Sequence, residues 1–107
     1  MKLLWTEGGW ADYLHFLETD REVLKRINAL IKDIQRAPFS GIGKPEPLGG
    51  DLAGWWSRRI TADHRLVYRV LGTGNEQRVE IARCRFHYSR LQAFFCFALR
   101  GARRAVC

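Results

Sequence analysis

The sequence predicts an α+β fold in which two N-terminal helices pack on a mainly antiparallel, twisted sheet. Apolar residues recur at helical spacing between residues 6 and 36, whereas three later segments, between residues 55 and 86, have the composition of strands. A stretch rich in glycine and proline separates these two parts. With 107 residues, 47% of them hydrophobic, the chain can close one modest core without disulfides or metal.

The N-terminal third predicts a short strand and two capped helices. Residues 2–5 read as the strand, and Thr6 caps a first helix whose apolar residues are Trp10, Tyr13, Leu14 and Leu17. Asp20 caps a second helix with one apolar stripe, made of Val23, Ile27, Leu30, Ile31 and Ile34, and Pro38 stops it. These two helices should supply one side of the core.

The rest of the chain predicts a loop and three strands. Residues 39–50 form the loop, which is stiffened where Pro45 and Pro47 flank Glu46. The strands are expected near residues 55–60, 65–71 and 78–86.

The strands predict one apolar core face and one polar face. In the first two strands the even positions are the more apolar, while the odd positions include Ser57, Arg59, Arg65 and Arg69. The odd positions therefore form a polar, basic face, the candidate surface for a binding partner. The alternation changes phase in the third strand, which indicates a β-bulge near Ala82.

The charge of the chain predicts a polyanionic partner. The formal net charge is +7 and the pI is near 9.9, and excess Lys and Arg attract phosphates. Residues 1–88 hold 14 basic and 11 acidic side chains, a net +3, whereas residues 89–107 add four arginines and no acid. Charge alone does not separate RNA from DNA or from an acidic protein.

The cysteine and hydropathy patterns exclude several classes of protein. Cys84, Cys96 and Cys107 are an odd number without the spacing of a metal site, so we expect reduced thiols, a cytoplasmic protein, and no metal or other cofactor. We expect no signal peptide. The longest apolar run, residues 93–99, is far shorter than the roughly 20 residues that span a bilayer, which predicts a protein with no membrane partner.

Four segments, at residues 43–48, 56–60, 64–68 and 84–88, hold the residue types that metal-free RNA cleavage requires. The reaction needs a base for the ribose 2′-hydroxyl, positive charge on the phosphorane and an acid for the leaving oxygen. The segments contain one carboxylate, Glu46, several arginines, and the pair His87 and Tyr88.

Over residues 1–88 these segments closely resemble the YoeB toxins of the RelE superfamily, bacterial endoribonucleases that cut messenger RNA on the ribosome. The resemblance implies that Glu46 is the general base, that Arg65 with Arg59 binds the phosphate, that His87 is the general acid and that Tyr88 is a positioning group. It also implies the RelE-like fold, a YefM-like antitoxin and a homodimer. On this resemblance the face formed by the odd positions is the candidate RNA-binding surface, and we add Arg58 and Lys44 as candidate RNA contacts.

Each of these residues also has a structural interpretation. Glu46 can be a solvated loop carboxylate, and the arginines can line a solvated strand face. Arg59 and Arg65 share a face only if the hairpin pairs odd-numbered residues with odd-numbered ones and even-numbered residues with even-numbered ones. His87 has a reference pKa near 6.5, which suits proton donation, yet it can equally end a strand without a role. His64 and His15 are weaker candidates.

The sequence departs from the family pattern in three places. Gly49 stands where YoeB proteins carry a lysine that approaches RNA, and the hairpin between residues 71 and 78 looks longer than usual. The third departure is an extension, residues 89–107, after the domain formed by residues 1–88. Its apolar residues, namely Leu91, Phe94, Phe95, Ala98 and Leu99, predict a basic amphipathic helix. The extension can be an unstructured appendage, a helix over an apolar groove or a second RNA contact.

Two other functions stay open. The chain can be a non-catalytic inhibitor of the same fold, like the ParE toxins that poison DNA gyrase, although such a toxin needs no acid and base. It can also be an RNA-binding module whose activity the extension has abolished.

Overall fold

A computed structural model describes residues 1–86, and those residues form the predicted α+β fold. The elements are β1 (Lys2–Trp5), α1 (Glu7–Thr19), α2 (Arg21–Arg36), β2 (Glu46–Pro47), β3 (Trp56–Arg59), β4 (Arg65–Leu71) and β5 (Arg78–Arg83). Single turns of 3-10 helix occur at Gly50–Leu52 and Gly74–Glu76. The expectations for His87, for Tyr88 and for a helix in residues 89–107 lie outside the described residues.

The sheet has the strand order β1-β5-β4-β3-β2. Strand β1 runs parallel to β5, and the other three pairs are antiparallel, which confirms a mainly antiparallel sheet. Two details differ from expectation: a two-residue strand, β2, forms inside the predicted loop, and β5 ends at Arg83 instead of continuing to Phe86.

Helix α1 is anchored to β5 at its first turn. The Thr6 side chain accepts a hydrogen bond from Gly9 N, as expected of an N-cap, and its hydroxyl donates to Ala82 O at 2.7 Å. A Cβ added at Gly9 would lie 2.5 Å from Ile81 O, so this close approach requires glycine. The glycine that weakens the first turn of the helix therefore allows the helix to reach the sheet.

The main core lies between the helices and the even positions of β3 and β4. Asp20 caps α2, whose predicted apolar stripe is buried, and Leu66 and Tyr68 are fully buried beneath it. The β4–β5 register shifts between Val67 and Tyr68, and Ala82 is the extra residue on β5. The predicted β-bulge near Ala82 is thus confirmed.

The other face of the sheet is less open than the sequence predicts. A second apolar cluster covers part of it and consists of Leu48, Leu52, Trp55, Val67 and Ala82. Ser57 and Arg65, both assigned to an open face, are also buried. This face is therefore exposed at the end of the β3–β4 hairpin and on the adjoining edge strand β2, and partly exposed at Arg69.

Candidate active site

Glu46 lies on an exposed edge strand whose backbone is fixed on both sides. It pairs with Ser57 of β3, and two further backbone hydrogen bonds flank the pair: Arg59 N donates to Gly43 O at 2.7 Å, and Leu48 N donates to Trp55 O at 2.9 Å. Pro45 and Pro47 lack N–H groups, which an edge strand tolerates. The carboxylate is thus exposed to solvent on a segment with little freedom to move.

Arg59 and Arg65 face each other across the β3–β4 hairpin. Arg59 is paired directly with Arg65 in the register of β3 and β4, so the two side chains lie on the same face of the sheet. Directly opposed residues of an antiparallel pair have Cβ atoms about 5 Å apart, and like charges on such a pair destabilise it. An anion bound between them would relieve the repulsion.

The guanidinium of Arg65 is held by the hairpin turn. Its Nη1 donates to the carbonyl oxygens of Thr61, Ala62 and His64 at 2.6, 3.3 and 3.1 Å. Its Nε and Nη2 form no hydrogen bond with other described residues, and no polar side-chain atom buried among those residues lacks a partner. The remaining N–H donors of Arg65 are therefore oriented but accessible.

Glu46 belongs to the same face as this arginine pair. Glu46 is opposite Ser57, and Arg59 follows Ser57 by two residues, so all three side chains are on one side of the sheet. Strand spacing places the Cα atoms of Glu46 and Arg65 about 12 Å apart. That distance leaves room for a phosphodiester between the ends of the two side chains.

Lys44 is exposed at the turn into β2. It adopts a left-handed backbone, with φ of 50°, directly after Gly43, whose φ is 80°. A Cβ at Gly43 would lie 2.8 Å from Leu30 Cδ2, so the turn requires glycine there. Lys44 is exposed two residues before Glu46, and its proposed contact with RNA stays a prediction.

Arg58 requires a correction, because it is buried instead of exposed. Its guanidinium donates to the Asp33 carboxylate, to Tyr68 Oη, and to the carbonyl oxygens of Ala37, Ser40 and Ile42. These five bonds use all five N–H donors of an arginine. Hydrogen bonds from Arg36 and Arg58 hold the pKa of Asp33 well below its usual range. Arg58 therefore joins β3 to the end of α2 and has no donor left for RNA.

Arg69 also has partners within the fold. It forms an ion pair with Glu80 at 2.7 Å and lies over the ring of Trp55 at 4.4 Å. Both contacts lie on the odd face, where the sequence predicts RNA binding. The Arg69 side chain is 36% exposed but is held by these two partners, whereas Arg65 keeps N–H donors that no other described residue uses.

His64 makes a contact that the sequence does not reveal. Its Nδ1 accepts a hydrogen bond from Phe86 N at 2.8 Å, and Arg65 N donates to Phe86 O at 2.9 Å. Phe86 has a φ of 68°, a left-handed backbone that costs a residue other than glycine about 1–2 kcal/mol. His64 and Arg65 together therefore hold a strained residue that directly precedes His87 in the sequence.

The described residues give no sign of a metal centre or a membrane segment. Among residues 1–86, no group of three or more His, Cys, Asp or Glu side chains could hold a metal ion. In that same part of the chain, no helix is long and apolar enough to cross a membrane.

Comparison with known proteins identifies the family. Residues 5–88 match the model of a protein family described as "YoeB-like toxin of bacterial type II toxin-antitoxin system". The chain belongs to this toxin family. Toxin YoeB of Escherichia coli K12 is 56% identical over 88 residues, which are 82% of this chain and 100% of that protein.

Solved structures of YoeB proteins share the fold as well. A YoeB/ParE toxin from Agrobacterium tumefaciens is 59% identical, with a TM-score of 0.81 over 82% of this chain and 100% of that one. A YoeB dimer and a heterotetrameric YoeB–YefM complex, both from Staphylococcus aureus, are 39% identical. They cover 82% of this chain and 98% of theirs, with TM-scores of 0.71 and 0.72.

Proposed function

We propose that this toxin is a metal-independent, ribosome-dependent endoribonuclease that cuts messenger RNA and thereby inhibits translation. The observation that carries the proposal is the position of Glu46, a fixed and exposed carboxylate on the same sheet face as the Arg59–Arg65 pair. Family membership supports endoribonuclease activity in general.

In this mechanism Glu46 removes the proton from a ribose 2′-hydroxyl, and the oxygen attacks the adjacent phosphorus. Arg59 and Arg65 stabilise the negative charge that develops on the phosphorane. The bond to the 5′-oxygen then breaks, and His87 donates a proton to that oxygen. The products are a 2′,3′-cyclic phosphate and a 5′-hydroxyl.

The hydrogen bonds of Arg65 support its assignment as a transition-state ligand. A donor helps most when it already points at the developing charge and needs no reorganisation during the reaction. Three carbonyl oxygens of the turn hold Nη1, so Nε and Nη2 are oriented before RNA binds. We assign Lys44 and Tyr88 to RNA binding and positioning; Arg58 has no such role, because the fold uses all its N–H donors.

We further propose that the partners are messenger RNA on the ribosome, a YefM-like antitoxin and a second copy of the toxin, all in the bacterial cytoplasm. The S. aureus structures support the last two, because they contain a YoeB dimer and a YoeB–YefM complex. The basic composition of the chain fits both RNA and an acidic antitoxin.

The proposal is tested by cell-free translation in which the ends of ribosome-bound message are mapped. The wild-type protein should produce 2′,3′-cyclic phosphate and 5′-hydroxyl ends. Glu46→Gln, which keeps the shape but removes the base, should cut roughly 100-fold or more slowly, within the range that a positioned acid or base contributes. Glu18→Gln, a matched change at an exposed position on α1, should cut normally.

Three results would contradict the proposal. Binding to ribosomes without any cut message would identify an RNA-binding module. Intact message together with inhibited gyrase would identify a toxin of the ParE type. Full activity of Glu46→Gln would remove Glu46 from the mechanism.

A further inference from the structure

We propose that His64 is a positioning residue whose Nδ1 atom fixes the backbone of Phe86 and so sets the path by which the chain enters His87 and Tyr88. The inference rests on the proposed function, in which His87 is the general acid. It concerns a histidine that sequence reasoning ranks as a weak candidate.

His64 is itself rigidly placed. Its backbone N–H donates to Thr61 Oγ1 at 3.2 Å, and its carbonyl accepts from Ile60 N at 3.0 Å. Its ring makes an edge contact with Phe16 of α1 at 5.1 Å and lies 6.0 Å from the ring of Phe86. The turn and the helix therefore both fix the position of Nδ1.

The contacts of His64 place its ring away from the proposed chemistry. Phe16 belongs to the core between the helices and the sheet, so the His64 ring is on the helix side. Glu46, Arg59 and Arg65 share the opposite side. His64 is thus not placed to exchange a proton with RNA, and its effect has to pass through Phe86.

Phe86 needs such a partner because its backbone is strained. A left-handed phenylalanine persists only where neighbouring groups hold it. The hydrogen bond to His64 Nδ1 holds the N–H of Phe86, and the hydrogen bond from Arg65 N holds its carbonyl. Because Arg65 is also the proposed phosphate ligand, the same turn holds both Phe86 and the proposed phosphate site.

The hydrogen bond requires neutral His64, since a protonated imidazole has no acceptor nitrogen. Burial lowers the pKa of His64; Arg85 and His15 add to this shift, and Asp63 and Asp12 oppose it. The ring is therefore neutral at pH 7, with the proton on Nε2. The contact should be lost as pH falls through a pKa below the usual value near 6.5.

The experiment compares three full-length variants in the translation assay: His64→Ala, His64→Asn and His15→Ala. His64→Ala should lower kcat by roughly 10- to 100-fold and leave KM within about threefold, because a small displacement of a catalytic group costs that much. His64→Asn places an amide oxygen near the position of Nδ1 and should recover most of the loss. His15→Ala is the matched control and should be fully active, since His15 contacts Phe16 but not the backbone of Phe86.

A second measurement does not depend on activity. In the full-length protein, nuclear magnetic resonance should show a coupling between Phe86 ¹⁵N and His64 ¹⁵Nδ1 across the hydrogen bond. The coupling should disappear on acidification as His64 becomes protonated.

The outcomes separate this inference from the proposed function. An inactive wild-type protein would overturn both. Active wild-type protein with a fully active His64→Ala variant would overturn the positioning role alone. So would a His64→Ala variant whose melting temperature falls while kcat is unchanged, because that result describes a purely structural histidine.

Discussion

The arginine side chains of this protein differ in how many of their donors the fold uses. Arg58 donates all five of its N–H groups, to the Asp33 carboxylate, Tyr68 Oη and three carbonyl oxygens. Arg83 binds both oxygens of buried Asp12. Among residues 1–86, the Arg65 side chain donates only through Nη1, to its own turn, and Arg59 is exposed. Burial and partners, more than arginine content, therefore decide which residues can bind phosphate.

We predict that Arg58→Ala strongly destabilises the fold. It removes the donor that serves Tyr68 Oη and the carbonyl oxygens of Ala37, Ser40 and Ile42, while Asp33 keeps its pair with Arg36. Each buried acceptor that loses its donor costs about 1–3 kcal/mol. Arg36→Ala is the matched control, since Arg36 pairs with the same carboxylate but its side chain is 69% exposed. Its cost should be within about 1 kcal/mol. Urea unfolding of both variants tests the prediction, and equal losses of stability would contradict it.

Acid should weaken the same cluster. The pKa of Asp33 is held below its usual range by Arg36 and Arg58, so its ionised form stabilises the folded state. That contribution is present above the ordinary pKa of an aspartate, near 3.9, and is lost as pH falls toward the lowered value. Asp33→Asn should flatten the loss of stability below pH 4. A variant with the wild-type acid dependence would show that other groups dominate.

Among the elements, the edge strand β2 contributes most to the site and is the hardest to predict. Two residues are too few to show the alternation of polar and apolar side chains that predicts a strand, and prolines around Glu46 are typical of a loop. It forms because the turn at Gly43 and Lys44 aligns the chain with β3. The fixed position of Glu46 thus depends on a glycine three residues earlier.

Gly43→Ala should therefore reduce both stability and cleavage. The new Cβ would meet Leu30 Cδ2 at 2.8 Å in a backbone with φ of 80°, a strain of about 1–3 kcal/mol. Gly49→Ala is the matched control, because its φ is −116° and no atom lies within 4 Å of the added Cβ. Thermal melting and the translation assay measure the two effects. Normal cleavage by Gly43→Ala would show that the turn does not position Glu46.

Elements with a local signal were predictable from the sequence. The stripe of α2, the caps Thr6 and Asp20 and the bulge at Ala82 all follow from spacing or residue type within a few positions. The burial of Arg58 could not be predicted in this way, because its partner Asp33 is 25 residues earlier in the chain. The covered part of the odd face was missed although apolar Trp55 and Val67 occupy odd positions of the paired strands.

At the scale of the whole molecule, the charge is divided between the toxin domain and the extension. Residues 1–88 carry a net +3, and residues 89–107 add four arginines. The family match ends at residue 88. We propose that residues 1–88 are the catalytic domain and that the extension ties Tyr88 into a continuing backbone beside the acid.

Truncation after Tyr88 is predicted to raise the cleavage rate on ribosome-bound message. It should also weaken non-specific RNA binding, because four positive charges are lost. A full-length variant with Arg90, Arg100, Arg103 and Arg104 all replaced by Gln separates charge from obstruction: it should lose RNA affinity without gaining rate. Equal cleavage rates for the truncated and full-length proteins at the same salt concentration would show that the extension has no effect on cleavage.

In the proposed mechanism the message supplies its own nucleophile, the 2′-hydroxyl, to a site containing Glu46. The most direct measurement uses ribosome-bound message with a single 2′-deoxynucleotide on the 5′ side of the mapped cleavage site. We predict that cleavage at that bond disappears while unmodified message is still cut. Continued cleavage of the deoxy-substituted bond would contradict the account, because the attacking oxygen would then have to come from elsewhere, such as water.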